Sequence, residues 1–344
     1  MNKICFMAFF IPFILMPFSC ESLNGEENNG NNNNGNGSEI SINEILLEFY
    51  EKHQLLGGIS LAISRNDKIV YTGSVGYADQ NNSVNLTPEH RMRIASVSKP
   101  ITSTAVMKLQ REGKINLDDA VFGIGSIFNN SYGMPSYNSN PVEITVRQLL
   151  EHTSGGWADV TGRTNISQAI LNHPLEYLPG TQYVYSNFGY YILGRVIEKI
   201  TGMTYENYVK ENILLPSGVN GMRVGATQSG ADEVQYIATP GDGVINPSTY
   251  NNPATMDSFG GWVASPTELI KLMINVDGWN IDKTYNNWTH NGSMPGTYTI
   301  IRKNANFYFA MFMNYRPPSP RTAFDNDRIE MFSQMIKIIN EWSE

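Results

Sequence analysis

Residues 297–315 read TYTIIRKNANFYFAMFMNY. Two runs rich in β-branched and aromatic residues, TYTIIRK and FYFAMFMNY, flank a short polar turn around Asn304-Ala305-Asn306, the pattern of paired strands. A second such pair stands near the other end of the chain: ISLAIS (59–64) and KIVYTGSVGYAD (68–79), joined through Asn66-Asp67. Helical patterns bracket both pairs. SINEILLEFYEKH (41–53) carries apolar residues at helical spacing behind a Ser41 cap and gives way to Gly57-Gly58, while FDNDRIEMFSQMIKIINEW (324–342) closes the chain. Between them, from about 96 to 275, helical periodicity dominates, in TSTAVMKLQREGK, VRQLLEH, FGYYILGRVIEKIT, YENYVKENIL and SPTELIKLMINV. The class is α+β: an antiparallel sheet built from both chain ends, flanked by helices, with an inserted mainly helical lobe.

Composition narrows the function. At 344 residues, 41% hydrophobic and 16% charged, the chain is globular and long enough for two lobes. Twenty-four Lys and Arg against 32 Asp and Glu leave a net charge of -8, which excludes a nucleic-acid partner, since that binding needs clustered cations. Cys5 and Cys20 both fall in the first 20 residues, so the rest of the chain holds neither an internal disulfide nor a cysteine-ligated zinc. His53, His90, His152, His173 and His290 lack metal-ligand spacing, so no metal is predicted and no cofactor is needed. A nucleophile in the folded part is then Ser, Thr, Asp, Glu or Lys.

The first residues read as an address and a tether. Ile4 to Phe18 is almost wholly apolar behind Lys3, is broken by Pro12 and Pro17, and is short for a bilayer span, which makes residues 1–19 a signal peptide. Ser19-Cys20 resembles a bacterial lipoprotein cleavage site, with Cys20 as the lipidated residue; ordinary secretion is the alternative. From Asn24 to Gly37 only Asn, Gly and Glu occur, a flexible solvated linker. The expected organisation is a signal peptide (1–19), an anchor site and linker (20–37) and a folded domain (38–344), placed in the cell envelope on the periplasmic or outer-membrane face. Oligomeric state is not legible.

Ser96-Val97-Ser98-Lys99 heads the helical run that reaches Leu109. A Ser three residues before a Lys on one helix face lets the amine take the hydroxyl proton, and a helix N-terminus favours a developing anion. Pro100 agrees with a helix starting there. Taken alone the spacing is weak, because a chain this long produces roughly one such match by chance. A capping serine beside a solvated lysine is the plain alternative. No serine sits in G-x-S-x-G, and neither a P-loop nor H-E-x-x-H occurs.

The order of four segments carries more. MRIASVSKPITSTAVMKLQREGKINLDD (92–119), ITVRQLLEHTSGG (144–156), PGTQYVYSNFGYYILGRVIEKITG (179–202) and HNGSMPG (290–296) follow one another as in the serine β-lactamase-related hydrolases. The sequence resembles the branch that holds class C β-lactamases, D-alanyl-D-alanine carboxypeptidases, D-aminopeptidases and related esterases, over most of 41–342. That family's S-x-x-K, Y-x-N and K/H-x-G elements, the last carried on a strand, match Ser96 to Lys99, Tyr185-Ser186-Asn187 and His290-Asn291-Gly292. The resemblance implies a β-lactamase/transpeptidase-like fold and a serine hydrolase domain over 38–344. It implies Ser96 as acylated nucleophile, Lys99 as proton acceptor and Tyr185 as a second acid/base whose phenolate or shared proton Lys99 would stabilise. Asn187 would hold Lys99 and the substrate amide, His290 would line the cleft, Gly292 would admit the substrate backbone, and the N–H groups of Ser96 and Ser293 would form an oxyanion hole.

Plainer readings exist for each. Tyr185 and Tyr190 read as aromatic packing, Asn187 as a helix cap, His290-Asn291-Gly292 as a turn before a hairpin, and His152 as a structural hydrogen-bonder. Trp157 and Tyr132 are candidates for the cleft border. Where the family's β-lactamases mostly have Lys, this chain has His290, a weaker carboxylate anchor, which tilts the reading towards peptidase-like members. The expected function is hydrolysis of an amide or ester through an acyl-Ser96 intermediate, with a small-molecule or peptide substrate, foremost a D-amino-acid peptide of cell-wall type. A β-lactamase, a short-chain esterase and a catalytically silent envelope binding protein are the alternatives.

Overall fold

Ser41 starts the first helix, α1 (Ile42–Lys52), through a reciprocal cap: its hydroxyl accepts from the Glu44 N–H at 3.2 Å and its own N–H donates to the Glu44 carboxylate at 2.6 Å. The computed structural model describes residues 41–342 except 158–164, 227, 242, 245, 248–251 and 277–286. The predicted signal peptide, Cys20 and linker lie outside the described residues. After α1 come β1 (Gly58–Arg65), β2 (Lys68–Gly76), β3 (Met92–Arg93) and α2 (Ser98–Arg111), then the small pair β4 (Ser136–Tyr137) and β5 (Asn140–Pro141). The helices α3 (Val146–Leu150), α4 (Ile166–Asn172), α5 (Asn187–Thr201) and α6 (Tyr205–Val209) follow, with β6 (Arg223–Val224) and β7 (Trp262–Ala264) after them. The chain ends with α7 (Pro266–Asn275), β8 (Asn287–Met294), β9 (Thr297–Asn304), β10 (Phe307–Met313) and α8 (Thr322–Glu341).

Both chain ends meet in one sheet, as the sequence predicts. Its order is β2-β1-β10-β9-β8, every neighbour antiparallel, with Ala62 of β1 opposite Ala310 of β10. Asn66 and Asp67 turn the first hairpin with φ of 49° and 59°, the left-handed pair that suits a two-residue loop. One face of the sheet presents Leu61, Phe309 and Met311 to α1 and α8, where Phe49, Phe332 and Met335 fill the space. The other presents Ala62, Ala310 and Phe312 to the helical lobe, with α7 laid across β1 and β10. Cover on both faces is why FYFAMFMNY reads as a continuous apolar run rather than an alternation. Cutting Phe332 back to Ala would cost about 3–5 kcal/mol.

The helical lobe is organised around α2. Every residue from Ser98 to Val106 is buried, including the polar Ser98, Lys99, Thr102, Ser103 and Thr104. Polar groups buried in a central helix need partners, and Lys99 and Thr102 find theirs in α5, α6 and the turn before β7, while the Ser98 hydroxyl accepts the Trp262 N–H and the Ser103 hydroxyl donates to the Pro100 carbonyl within α2. One strand is implied by the family resemblance and not by its residue pattern: NWTHNGSM, β8, is an edge strand whose alternate residues face solvent, so it lacks the apolar run that marks β9 and β10. His290-Asn291-Gly292 lies within this strand, and the turn comes later, at Gly296 (φ 76°).

Candidate active site

Strand β3 delivers the chain to Ser96. The Thr297 hydroxyl donates to the Arg93 carbonyl at 2.8 Å and the Ile94 N–H donates to the Trp262 carbonyl at 3.0 Å, so the strand is pinned from both sides. Ala95 then takes a left-handed φ of 47°, strained for a residue with a Cβ, and one tight turn (Ala95–Val97) leads into α2. Ser96 is half-buried at this turn. Lys99 follows one turn later, with its Nζ 3.4 Å from Ser96 Oγ.

Lys99 is 1% exposed, and burial lowers its pKa well below 10.5. Its Nζ donates to Asn187 Oδ1 at 2.7 Å and to the Phe259 carbonyl at 2.8 Å. A neutral amine has two N–H bonds and one lone pair. With both N–H bonds held by fixed acceptors, the lone pair is left for the Ser96 hydroxyl, the geometry of a base. Rings of Tyr185, Tyr190 and Phe259 surround the amine, with centroids 4.7, 5.8 and 5.7 Å from Nζ.

The two acceptors are placed by different means. Ser186 caps α5: its hydroxyl accepts from the Gly189 N–H at 2.9 Å and donates to the Trp157 carbonyl at 3.2 Å. The cap is therefore Ser186 and not Asn187, whose side chain is free to reach Lys99. Phe259 sits in a turn closed by the Phe259, Gly260 and Gly261 N–H groups, all donating to the Met256 carbonyl. Thr102 secures that turn from behind, donating to the Ser258 carbonyl at 2.6 Å. Sequence reading missed Phe259, because a backbone acceptor leaves no side-chain signature; the Gly260-Gly261 pair is its one trace.

Tyr185 stands on the open side, donating from its hydroxyl to Ser96 Oγ at 2.8 Å. Burial raises its pKa above 10, the Ser96 bond opposes this, and Tyr183 adds to it. The sequence-based expectation is a phenolate or a shared proton stabilised by Lys99, and burial opposes the phenolate in the resting site. Tyr185 is a protonated phenol, and Lys99 lies over its ring.

The opposite wall is β8. His290 Nε2 lies 3.0 Å from the Ser96 carbonyl, and because a carbonyl only accepts, the imidazole donates there. Its pKa is pushed down to about 4, by burial first and the Lys99 charge second, with the Ser96 bond opposing. Gly292 is required by close approach: a Cβ there would stand 2.0 Å from the Ile94 carbonyl oxygen. Ser293, next along β8, pairs with Tyr298 of β9.

Ser96, Lys99, Tyr185, Asn187 and His290 are thus joined by direct contacts, and Gly292 presses on the turn that carries Ser96. Cys20 lies outside the described residues. Trp157 is 3% exposed and packs on Phe122 and Phe188, which makes it core and not cleft border. Tyr132 packs edge-on against Phe128. Among the described residues no group of three His, Cys, Asp or Glu stands close enough to hold a metal, and no helix is long and apolar enough to cross a membrane.

Known proteins resemble this chain in sequence and in fold. Protein flp of Staphylococcus aureus (strain COL) is 27% identical over 282 residues, 75% of this chain and 55% of its own length. Penicillin-binding protein 4* of Bacillus subtilis (strain 168) is 31% identical over 202 residues, 55% of this chain and 42% of its own. The chain spans about half the length of these curated relatives. The D-amino acid amidase of Ochrobactrum anthropi SV3, solved with L-phenylalanine amide, superposes with a TM-score of 0.70 at 20% identity, covering 86% of this chain and 99% of that one. The beta-lactamase profile matches residues 46–280, well over half of the sequence. The chain belongs to the beta-lactamase family of serine hydrolases.

Proposed function

We propose that this protein hydrolyses an amide or ester through an acyl-Ser96 intermediate, and that its substrate is a D-amino-acid peptide of cell-wall type. One observation carries the chemistry: Ser96 Oγ has a buried amine 3.4 Å away on one side and a phenol donating to it at 2.8 Å on the other. Ser96 gives its proton to the Lys99 amine as Oγ attacks the carbonyl carbon. The N–H groups of Ser96 and Ser293 hold the developing oxyanion, a device worth ~10²–10³ in rate per donor. As the bond to the leaving group breaks, Tyr185 donates its proton to that group and recovers one from the Lys99 ammonium. Water then attacks the acyl carbon by the same steps in reverse, and Ser96 regains its proton. Asn187 and the Phe259 carbonyl keep the amine aimed throughout.

The substrate class is supported by the names of similar proteins, a D-amino acid amidase and a penicillin-binding protein among them. The apolar leader and Cys20 support placement in the envelope on a lipid anchor, where such peptides are met. Lipid labelling of a Cys20→Ala variant tests that placement, and label persisting at the terminus rejects it.

The test of function is intact mass after incubation with benzylpenicillin and, separately, with a reactive fluorophosphonate, using Ser96→Ala as control. A lasting penicillin adduct that vanishes in Ser96→Ala supports the peptidase reading. Penicillin consumed without an adduct points to a β-lactamase instead. No mass shift with either reagent on folded protein rejects an activated Ser96 and leaves a binding protein.

A further inference from the structure

His152 lies directly behind Tyr185. It follows α3 at a left-handed backbone position, φ 58°, and is 8% exposed. Its ring centroid is 4.6 Å from that of Tyr185 and 5.0 Å from that of Tyr190, each tilted by 32°, with Tyr183 nearly edge-on at 5.5 Å. Its carbonyl accepts the Val184 N–H at 2.7 Å, and its Nδ1 accepts the Ser186 N–H at 3.1 Å. The residues on either side of Tyr185 are therefore both tied to His152, from its backbone and from its ring.

We propose that His152 is a positioning residue that sets the Tyr185 hydroxyl against Ser96 Oγ. The proposal rests on the reading of Tyr185 given above. Tyr185 precedes α5 in a segment without helix or strand pairing, and at 37% exposure one side of it is open to solvent. The imidazole face supplies a shelf behind the ring, and the two hydrogen bonds fix the backbone from which the ring projects. An accepting Nδ1 places the ring proton on Nε2. Burial, then the Lys99 and His290 charges, lower the pKa of His152 to about 3, which keeps Nδ1 an acceptor at neutral pH. A misplacement of ~1 Å at a reacting group costs on the order of 10²-fold, so a slack Tyr185 is felt in rate before it is felt in stability.

A purely structural role, closing α3, would lower stability without slowing the chemistry of folded enzyme. Two variants separate the roles. In His152→Asn the amide Oδ1 stands where Nδ1 stood, and Asn tolerates the left-handed backbone, so both hydrogen bonds persist while the shelf is lost. His152→Phe keeps a ring behind Tyr185 and loses the acceptor. Each is made in the native protein and in Tyr185→Phe, and the maximal rate and half-saturating concentration of fluorophosphonate labelling at Ser96 are measured on folded protein. The expected result is a ~10–100-fold lower maximal rate for His152→Asn, a smaller loss for His152→Phe, and half-saturation within about twofold of native. In the Tyr185→Phe background either change is expected to cost less than about twofold, because the group it positions is gone. Equal losses in both backgrounds, or a His152→Asn variant that labels at the native rate, would overturn the proposal while leaving Tyr185 its role. Native-rate labelling by Tyr185→Phe itself would overturn both.

Discussion

The two walls of the cleft are built on opposite principles. On the helical side, Lys99, Asn187 and the Phe259 carbonyl form a closed set, with the amine 1% exposed and both its N–H bonds directed at fixed acceptors. On the sheet side, β8 is an edge strand, and Asn291 and Ser293 face solvent in alternation with the inward His290, Gly292 and Met294. Burial is what lowers the pKa of Lys99, so the base has to sit on the closed wall. An edge strand offers unpaired backbone to an extended substrate, so the group that reads a substrate belongs on the open one. The difference assigns the base to one wall and selection, with one oxyanion donor, to the other.

Changing the amine should break this comparison most sharply. Lys99→Met and Lys99→Arg both remove a base, the second because a guanidinium is never neutral at working pH, and labelling of Ser96 should fall by on the order of 10³-fold in each. Labelling of folded Lys99→Arg at the native rate would mean that the buried wall does not carry the proton.

Acid separates the walls next. His152 and His290 titrate near 6.5 in the unfolded chain but at about 3 and about 4 in the fold. Between pH 6.5 and 4 the unfolded state binds the extra protons, so stability falls as pH falls, by on the order of 3 kcal/mol per ring at full uptake, and is flat above 6.5. The drop in Tm from pH 7 to 4.5 should shrink by nearly the same amount in His152→Asn and His290→Asn, because both rings stay neutral in the fold over that range, and the His152→Asn effect should exceed the other only towards pH 3, where His290 has taken up its proton and His152 is still doing so. Equal effects at pH 3 would erase the distinction in burial.

Two changes on β8 should matter less. Gly292→Ala puts a methyl against the Ile94 carbonyl, and moving the strand to relieve it should cost about 1–3 kcal/mol by chemical denaturation. Unchanged stability would show that β8 yields freely. His290→Lys should leave fluorophosphonate labelling within about tenfold of native and raise the kcat/KM ratio of carboxylate-bearing over uncharged esters several-fold, since an ammonium anchors a carboxylate and a neutral imidazole does not. No change in that ratio would remove His290 from selection.

What the sequence made legible follows the same division. Ser96 and Lys99 are tied by helix geometry, so three residues of spacing suffice to bring them together. The sheet was readable because β1 and β10 are central strands whose burial leaves dense apolar runs. Asn187 sits 88 positions from Lys99, and only the order of the family's motifs joined the two. The plain alternative of Asn187 as a helix cap falls to its neighbour Ser186, because both side chains can accept and spacing alone does not choose between neighbours. Only the family's K/H-x-G pointed to β8, because an edge strand has polar residues, and Phe259 stayed hidden because its contribution is a carbonyl. The protonated state of Tyr185 depends on burial, which no motif encodes.

The account turns on whether Lys99 is the base it is built to be. The direct measurement is the titration of its Nζ, followed through the ε-carbon resonance of 13C-labelled lysine and assigned by its loss in Lys99→Met. The expected result is a midpoint well below 10.5, with Ser96 labelling rising through that same midpoint. A Lys99 resonance that stays ammonium-like until pH 10, in enzyme that labels fully at pH 7, would contradict it.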